Sequence, residues 1–153
     1  MLQRIQTVYL LLVSILMLLL VFLPLAVLQS GNELYSFDIF GLSTLLGEKE
    51  LVYPTWGLLV LVVVVLITAL VTIFLFKKRM LQIRLTIFNT ILLVGFYGLF
   101  AYLIYVFKGE LSGLTYSLKF ATAFPAVAIV LNYLAIRNIG ADEALVRSLD
   151  RVR

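Results

Sequence analysis

Four uncharged stretches, at 5–28, 55–76, 85–107 and 120–136, leave this chain little choice of fold. About 20 apolar residues in helical form cross the ~30 Å hydrocarbon core of a bilayer. The fourth stretch is the shortest, and is read as 118–136 with Leu118 and a snorkelling Lys119 reaching toward the interface. The pattern predicts an all-α membrane protein, a single domain over 1–153 with four transmembrane helices in an antiparallel bundle. Composition agrees, with 63% hydrophobic and 13% charged residues, against the roughly 45–50% and 25% of soluble domains. The first stretch is too long for a signal peptide and no A-x-A cleavage site follows, so it reads as an uncleaved anchor.

The charges set a direction. Nine of the twelve basic residues fall on one side of the four spans: Arg4, Lys77, Lys78, Arg79, Arg84, Arg137, Arg147, Arg151 and Arg153. With three acids there and a balance of three bases to five acids opposite, the two sides carry +6 and −2. Basic segments beside spans stay cytoplasmic, so both termini are expected inside, with 29–53 as an outer loop and 137–153 as a cytoplasmic tail. The same adjacency to apolar runs assigns the net +4 to lipid and topology, with no nucleic-acid partner expected.

Chemistry is narrowed by what is missing. The chain has no Cys and no His, which removes thiolate nucleophiles, imidazole bases and ordinary zinc sites. No carboxylate occupies a span, which argues against proton-coupled export of the kind that uses a membrane Asp or Glu. No catalytic, cofactor or metal residue is assigned, and the expectation is a protein that is not an enzyme.

What the spans do offer is packing chemistry. Ala121, Pro125, Ala128, Asn132 and Ala135 draw one small-residue face down the fourth span, and Gly95 and Gly98 form a notch in the third that suits close approach of part of it. Asn89 and Asn132 each lie five residues inside an arginine, roughly 7.5 Å below the same boundary, and are expected near hydrogen bonds between spans three and four. Thr68 and Thr72 are expected to bond back to their own helix. Tyr53, Trp56, Tyr102, Tyr105 and Phe107 read as an interfacial belt. Pro24 and Pro125 should kink their apolar runs or end them early.

Two connections carry further pattern. In LYSFDIF, Tyr35, Phe37 and Ile39 alternate with Ser36 and Asp38, the period of a strand or of an aromatic segment lying on the membrane, either an ordered cap over the helix ends or a binding lip. After Gly140 the tail reads as a short amphipathic helix capped by Asp142, with Glu143, Arg147 and Arg151 on one face and Leu145, Leu149 and Val152 on another. Lys77, Lys78, Arg79, Arg84, Arg147, Arg151 and Arg153 are the expected contacts for cytoplasmic lipid or a partner. MLQRIQT at Met1 and MLQIRLT at Met80 also share Met-Leu-Gln, an Arg and a Thr, a faint sign of a duplicated hairpin.

The combination of MLQRIQTVYLLL, YPTW, TIFLFKKRMLQIRL and AIRNIGADEALVRSLDRVR resembles an uncharacterised family of four-helix bacterial membrane proteins, a domain of unknown function known mainly from Bacteroidetes. That resemblance implies the bacterial inner membrane and four passes, and no activity. The expected function is contact with lipid, with a protein partner through the tail, or with further copies of the chain. The alternative is an oligomeric small-substrate transporter lacking a membrane carboxylate.

Overall fold

The structure, a computed structural model, describes residues 2–46 and 48–151. Its elements run α1 (Leu2–Phe22), β1 (Ala26–Ser30), β2 (Glu33–Phe37), β3 (Gly41–Thr44), β4 (Leu51–Pro54), α2 (Trp56–Phe74), α3 (Arg79–Glu110), β5 (Thr115–Leu118), a 3-10 turn at Phe120–Ala123 and α4 (Phe124–Asp150). The all-α expectation is corrected: the helices carry a five-stranded antiparallel sheet in the order β4-β3-β2-β1-β5. All four helices are long and apolar enough to cross a membrane.

Prolines explain part of the correction. The ring of Pro24 disfavours helix at Leu23, and α1 stops at Phe22. Ala26, Val27 and Leu28, which continue the first apolar stretch, therefore enter β1 and pair with Phe37, Ser36 and Tyr35. Gly31 and Asn32 close that hairpin, and Gly31, at φ 59°, takes the left-handed geometry that the first turn position requires. Leu118 likewise ends a strand, opposite Ala26, instead of starting a span. Pro125 falls in the first turn of α4, where its missing N–H breaks no helical bond, so it neither kinks nor hinges the helix.

The helices pack in a closed ring, each against the next and α4 against α1. Each buries a stripe spaced by alternating fours and threes. On α3 it is Gln82, Thr86, Asn89, Leu93, Phe96, Phe100, Leu103 and Phe107; on α4 the buried set includes Pro125, Ala128, Asn132, Ala135 and Ile139. This is the 3.5-residue repeat of helices that interdigitate along a seam. The register of α3 against α4 follows from two contacts. Arg79 pairs with Asp142, and the Tyr97 hydroxyl donates to Thr122 O (2.7 Å) while accepting from Ala126 N (2.9 Å). Along that register Leu93 comes level with Ala128, Phe96 with Pro125 and Phe100 with Ala121 of the 3-10 turn, so large side chains on α3 stand level with small ones on the neighbouring segment.

The sheet covers one end of this ring, with Leu25, Ala26, Leu28, Tyr35, Phe37, Ile39 and Leu42 all buried. Phe37 stacks on Phe100 (5.3 Å) and meets Phe107 edge to face (5.4 Å), and Tyr53 meets the same Phe107 (5.4 Å). Phe107 is thus core and not interfacial belt; Trp56, Tyr102 and Tyr105 are exposed. Backbone and side-chain bonds tie the layers. Leu25 O accepts from Lys119 N (2.9 Å) and from the Thr122 hydroxyl, and the Thr55 hydroxyl reaches Asp38 O and Ile39 O at 3.2 Å.

The tail is also corrected. It is no separate short helix, because α4 runs without interruption to Asp150 through Gly140. Asp142 does not cap; it sits mid-helix and receives Arg79.

Candidate functional site

The end of the molecule away from the sheet gathers most of its basic residues, with Lys49, Lys108 and Lys119 at the other. α2 gives way to α3 through a turn at 75–78 closed by Lys78 N to Leu75 O (2.9 Å), so Phe76, Lys77 and Lys78 project together at the corner. Lys77 lies over the Phe76 ring, 6.0 Å from its centroid. The next residue, Arg79, is turned onto α4, with Asp142 at 3.5 Å and Glu143 at 4.0 Å. Glu143 also holds Arg147, one turn on, at 3.2 Å. Two of the predicted contact residues, Arg79 and Arg147, are therefore engaged by the chain's own carboxylates. Lys77, Lys78 and Arg84 are exposed and make no ion pair among the described residues.

Between the corner and α4 lies an open groove of about 830 Å³, lined by Lys77, Lys78, Arg79 and Arg84, by Glu143, and by apolar Phe76, Met80, Leu81 and Val146. Four basic side chains face one carboxylate, and that carboxylate is already shared by two arginines. A second groove of about 430 Å³ lies along the same pair of helices, lined by Ile87, Thr90 and Ile91 of α3 and Ile129, Val130, Tyr133 and Ile136 of α4. Its one hydroxyl of α3, on Thr90, is spent on Thr86 O (2.9 Å). Arg84, Ile87 and Ile91 are spaced by three and four, as are Glu143, Ile136, Tyr133 and Ile129 in multiples of the same steps, so both grooves lie on one continuous helix face.

The interior beside these grooves carries its own set of buried polar side chains, as the sheet end does with Ser36, Ser43, Thr55 and Thr122. Gln6, Thr72, Gln82, Thr86, Asn89 and Asn132 are buried. The threonines bond back to their own helices, Thr68 to Val64 O, Thr72 to Thr68 O and Thr86 to Gln82 O. Gln82 crosses to α2 and donates to Thr72 O (3.3 Å). Asn89 is ten residues beyond Arg79 and Asn132 ten before Asp142, so the pair that fixes the register sets the two amides level. Neither amide has a hydrogen-bond partner among the described residues, and Gln6 Nε2 has none either. The expected hydrogen bonds near these amides are therefore not present at Asn89 and Asn132.

The small-residue face of Ala121, Pro125, Ala128, Asn132 and Ala135 is buried. Its partner was misread. Gly95 and Gly98 are exposed, and a Cβ on either would meet nothing within 4 Å. Leu93, Phe96 and Phe100 of α3 are buried in the same core cluster as Ala121 and Ala128 of that face. Arg151 is exposed, and Arg153 lies outside the described residues. Sequence reading missed the pairing of Arg79 with the tail and the polar stripe of α3. The four-three spacing of Gln82, Thr86 and Asn89 was the available signal for the latter.

These features define a class: four candidate membrane helices in a ring, capped at one end by an antiparallel sheet and studded with basic residues at the other. The chain belongs to the family described as a domain of unknown function (DUF4293), whose model matches residues 2–152. No curated protein matches it significantly.

Proposed function

We propose that this is a multi-pass protein of the bacterial inner membrane, with both termini cytoplasmic, that works without catalysis through lipid and protein contacts at its basic end. The observation that carries this reading is the segregation of charge along the helix ring. Lys77, Lys78, Arg79, Arg84, Arg137 and Arg147 gather at the end opposite the sheet, beside four helices of spanning length. Basic groups at that end are retained by the insertion machinery and attracted by anionic lipid. Leu145 and Leu149 of the tail are 55% and 69% exposed, an apolar strip without a cover in the monomer and a natural contact for a partner, the bilayer surface or a second copy.

Reporter fusions at each terminus, with carbonate extraction of the membranes, test location and direction: both reporters should be active in the cytoplasm, and a periplasmic signal from either rejects the topology. Crosslinking in native membranes with and without residues 141–153 tests the tail, and an unchanged set of crosslinked proteins removes it from the account.

A second reading, passive transport of a small solute, is favoured by the unpartnered amides of Asn89 and Asn132 inside the ring. Buried amides left unpaired cost about 1–3 kcal/mol each, a cost that a solute or water pathway would offset. Liposomes containing the protein should then show solute flux that Asn89→Leu abolishes; absence of flux across a panel of small neutral solutes rejects it.

A further inference from the structure

We propose that the outer seam between α3 and α4 is a binding site for one anionic phospholipid, resting on the membrane reading above. Its headgroup phosphate sits among Lys77, Lys78 and Arg84, and one acyl chain lies in the apolar groove of Ile87, Ile91 and Tyr133. Three observations converge. First, the basic groove is open and three of its four basic side chains, Lys77, Lys78 and Arg84, make no ion pair among the described residues, whereas the neighbouring carboxylates are occupied: Asp142 by Arg79, and Glu143 by Arg79 and Arg147. The tail thus withdraws its own negative charge from the groove and leaves the corner positive.

Second, the same groove sets apolar side chains among its charges, Phe76, Met80, Leu81 and Val146. A free phosphate or a soluble anion would have no use for such side chains; a glycerol backbone entering the bilayer would.

Third, the helix face that carries Arg84 continues into the second groove, which is apolar and shallow and lies on the outside of the ring, where Ile91 and Tyr133 are each 63% exposed. From Arg84 to Ile91 the helix rises about 10 Å, well within one leaflet's share of a ~30 Å hydrocarbon core. Charge at one end and an apolar groove beyond it, in phase on the same two helices, match the two ends of a phospholipid.

The test uses the full-length protein purified in a neutral detergent. Thermal melting is followed while phosphatidylglycerol, phosphatidylcholine or inorganic phosphate is titrated in, and bound lipid is counted by native mass spectrometry. Phosphatidylglycerol should bind at one molecule per chain and roughly tenfold or more tightly than phosphatidylcholine, from the attraction of three basic groups. Lys77→Gln/Lys78→Gln/Arg84→Gln should erase that preference while shifting the lipid-free melting temperature by no more than roughly a degree, since all three are exposed and none makes an ion pair among the described residues. Ile91→Trp, which fills the furrow without touching a charge, should weaken both lipids alike. Equal binding of the two lipids, or a preference that survives the triple variant, overturns the proposal. So does stabilisation by inorganic phosphate alone equal to that by phosphatidylglycerol. Failure of the membrane reading would appear separately, as protein released by carbonate before any lipid is added.

Discussion

At the scale of single residues, Asn89 and Asn132 are the costly positions. Both sit level in the core, buried, with no hydrogen-bond partner for either amide among the described residues. Replacing a buried unpaired polar group by an apolar one of similar size removes a desolvation cost without opening a cavity. Asn132→Leu should therefore stabilise the protein by about 1–3 kcal/mol, read as a higher melting temperature in detergent. A lower melting temperature would mean that the amides are paired in the folded protein. The sequence placed these two residues at equal depth through their distances from Arg84 and Arg137, and the structure sets them level. Their hydrogen bonding was not legible, because spacing along two helices fixes height and direction but not the last ångström between side chains.

At the scale of elements, two glycines test the corrected boundaries. Gly140 lies within α4, and a Cβ there would meet nothing within 4 Å. Because glycine in a helix interior costs roughly 0.5–1 kcal/mol relative to alanine, Gly140→Ala should stabilise α4 by that amount and raise its helicity by circular dichroism. A tail hinged at this residue would respond in the opposite sense. Gly41 is the contrary case. It opens β3 opposite Pro54, and a Cβ would lie 2.5 Å from Tyr53 O and 2.6 Å from a Leu51 methyl. The edge strand β4 would have to move away, so Gly41→Ala should destabilise by about 1–3 kcal/mol and speed amide exchange in β3 and β4 first. The sheet was half legible. The alternation of Tyr35, Phe37 and Ile39 marked β2, and Gly31-Asn32 between AVLQS and ELYSF was a hairpin signal that went unread. The strand β1 hid inside a long apolar run, where nothing but Pro24 separates a buried strand from the end of a buried helix.

At the scale of the molecule, sheet and helices share one core. Phe37 of the sheet stacks on Phe100 and meets Phe107 edge to face, both on α3, and Phe100 continues to Phe96 within the ring. Truncating a buried aromatic costs about 3–5 kcal/mol, and because Phe37 belongs to both layers that loss should fall on the whole. Phe37→Ala should lower a single cooperative unfolding transition; a sheet that melts first, with the helices unaffected, would show that the two layers are independent. The arrangement also echoes the faint Met-Leu-Gln repeat. α1 and α3 both start near the basic end and lead into strands, β1 and β5, and those two strands pair with each other.

The sequence by itself determined four long apolar helices, their separation by short turns and loops, and the gathering of positive charge at one end. Those properties depend on residue type and on distance along the chain, and a string of letters carries both. The tertiary structure decided which faces meet. Apolar residues cover both the inner and the outer faces of these helices, so hydrophobicity alone separates them poorly, and the pairing of α3 with α4 is set by contacts between them, Arg79 with Asp142 and Tyr97 with Thr122 and Ala126. The pairing of β1 with β5 and the clasp of Arg79 on Asp142 were decided there too, because each joins residues far apart in the chain whose contact no local pattern encodes.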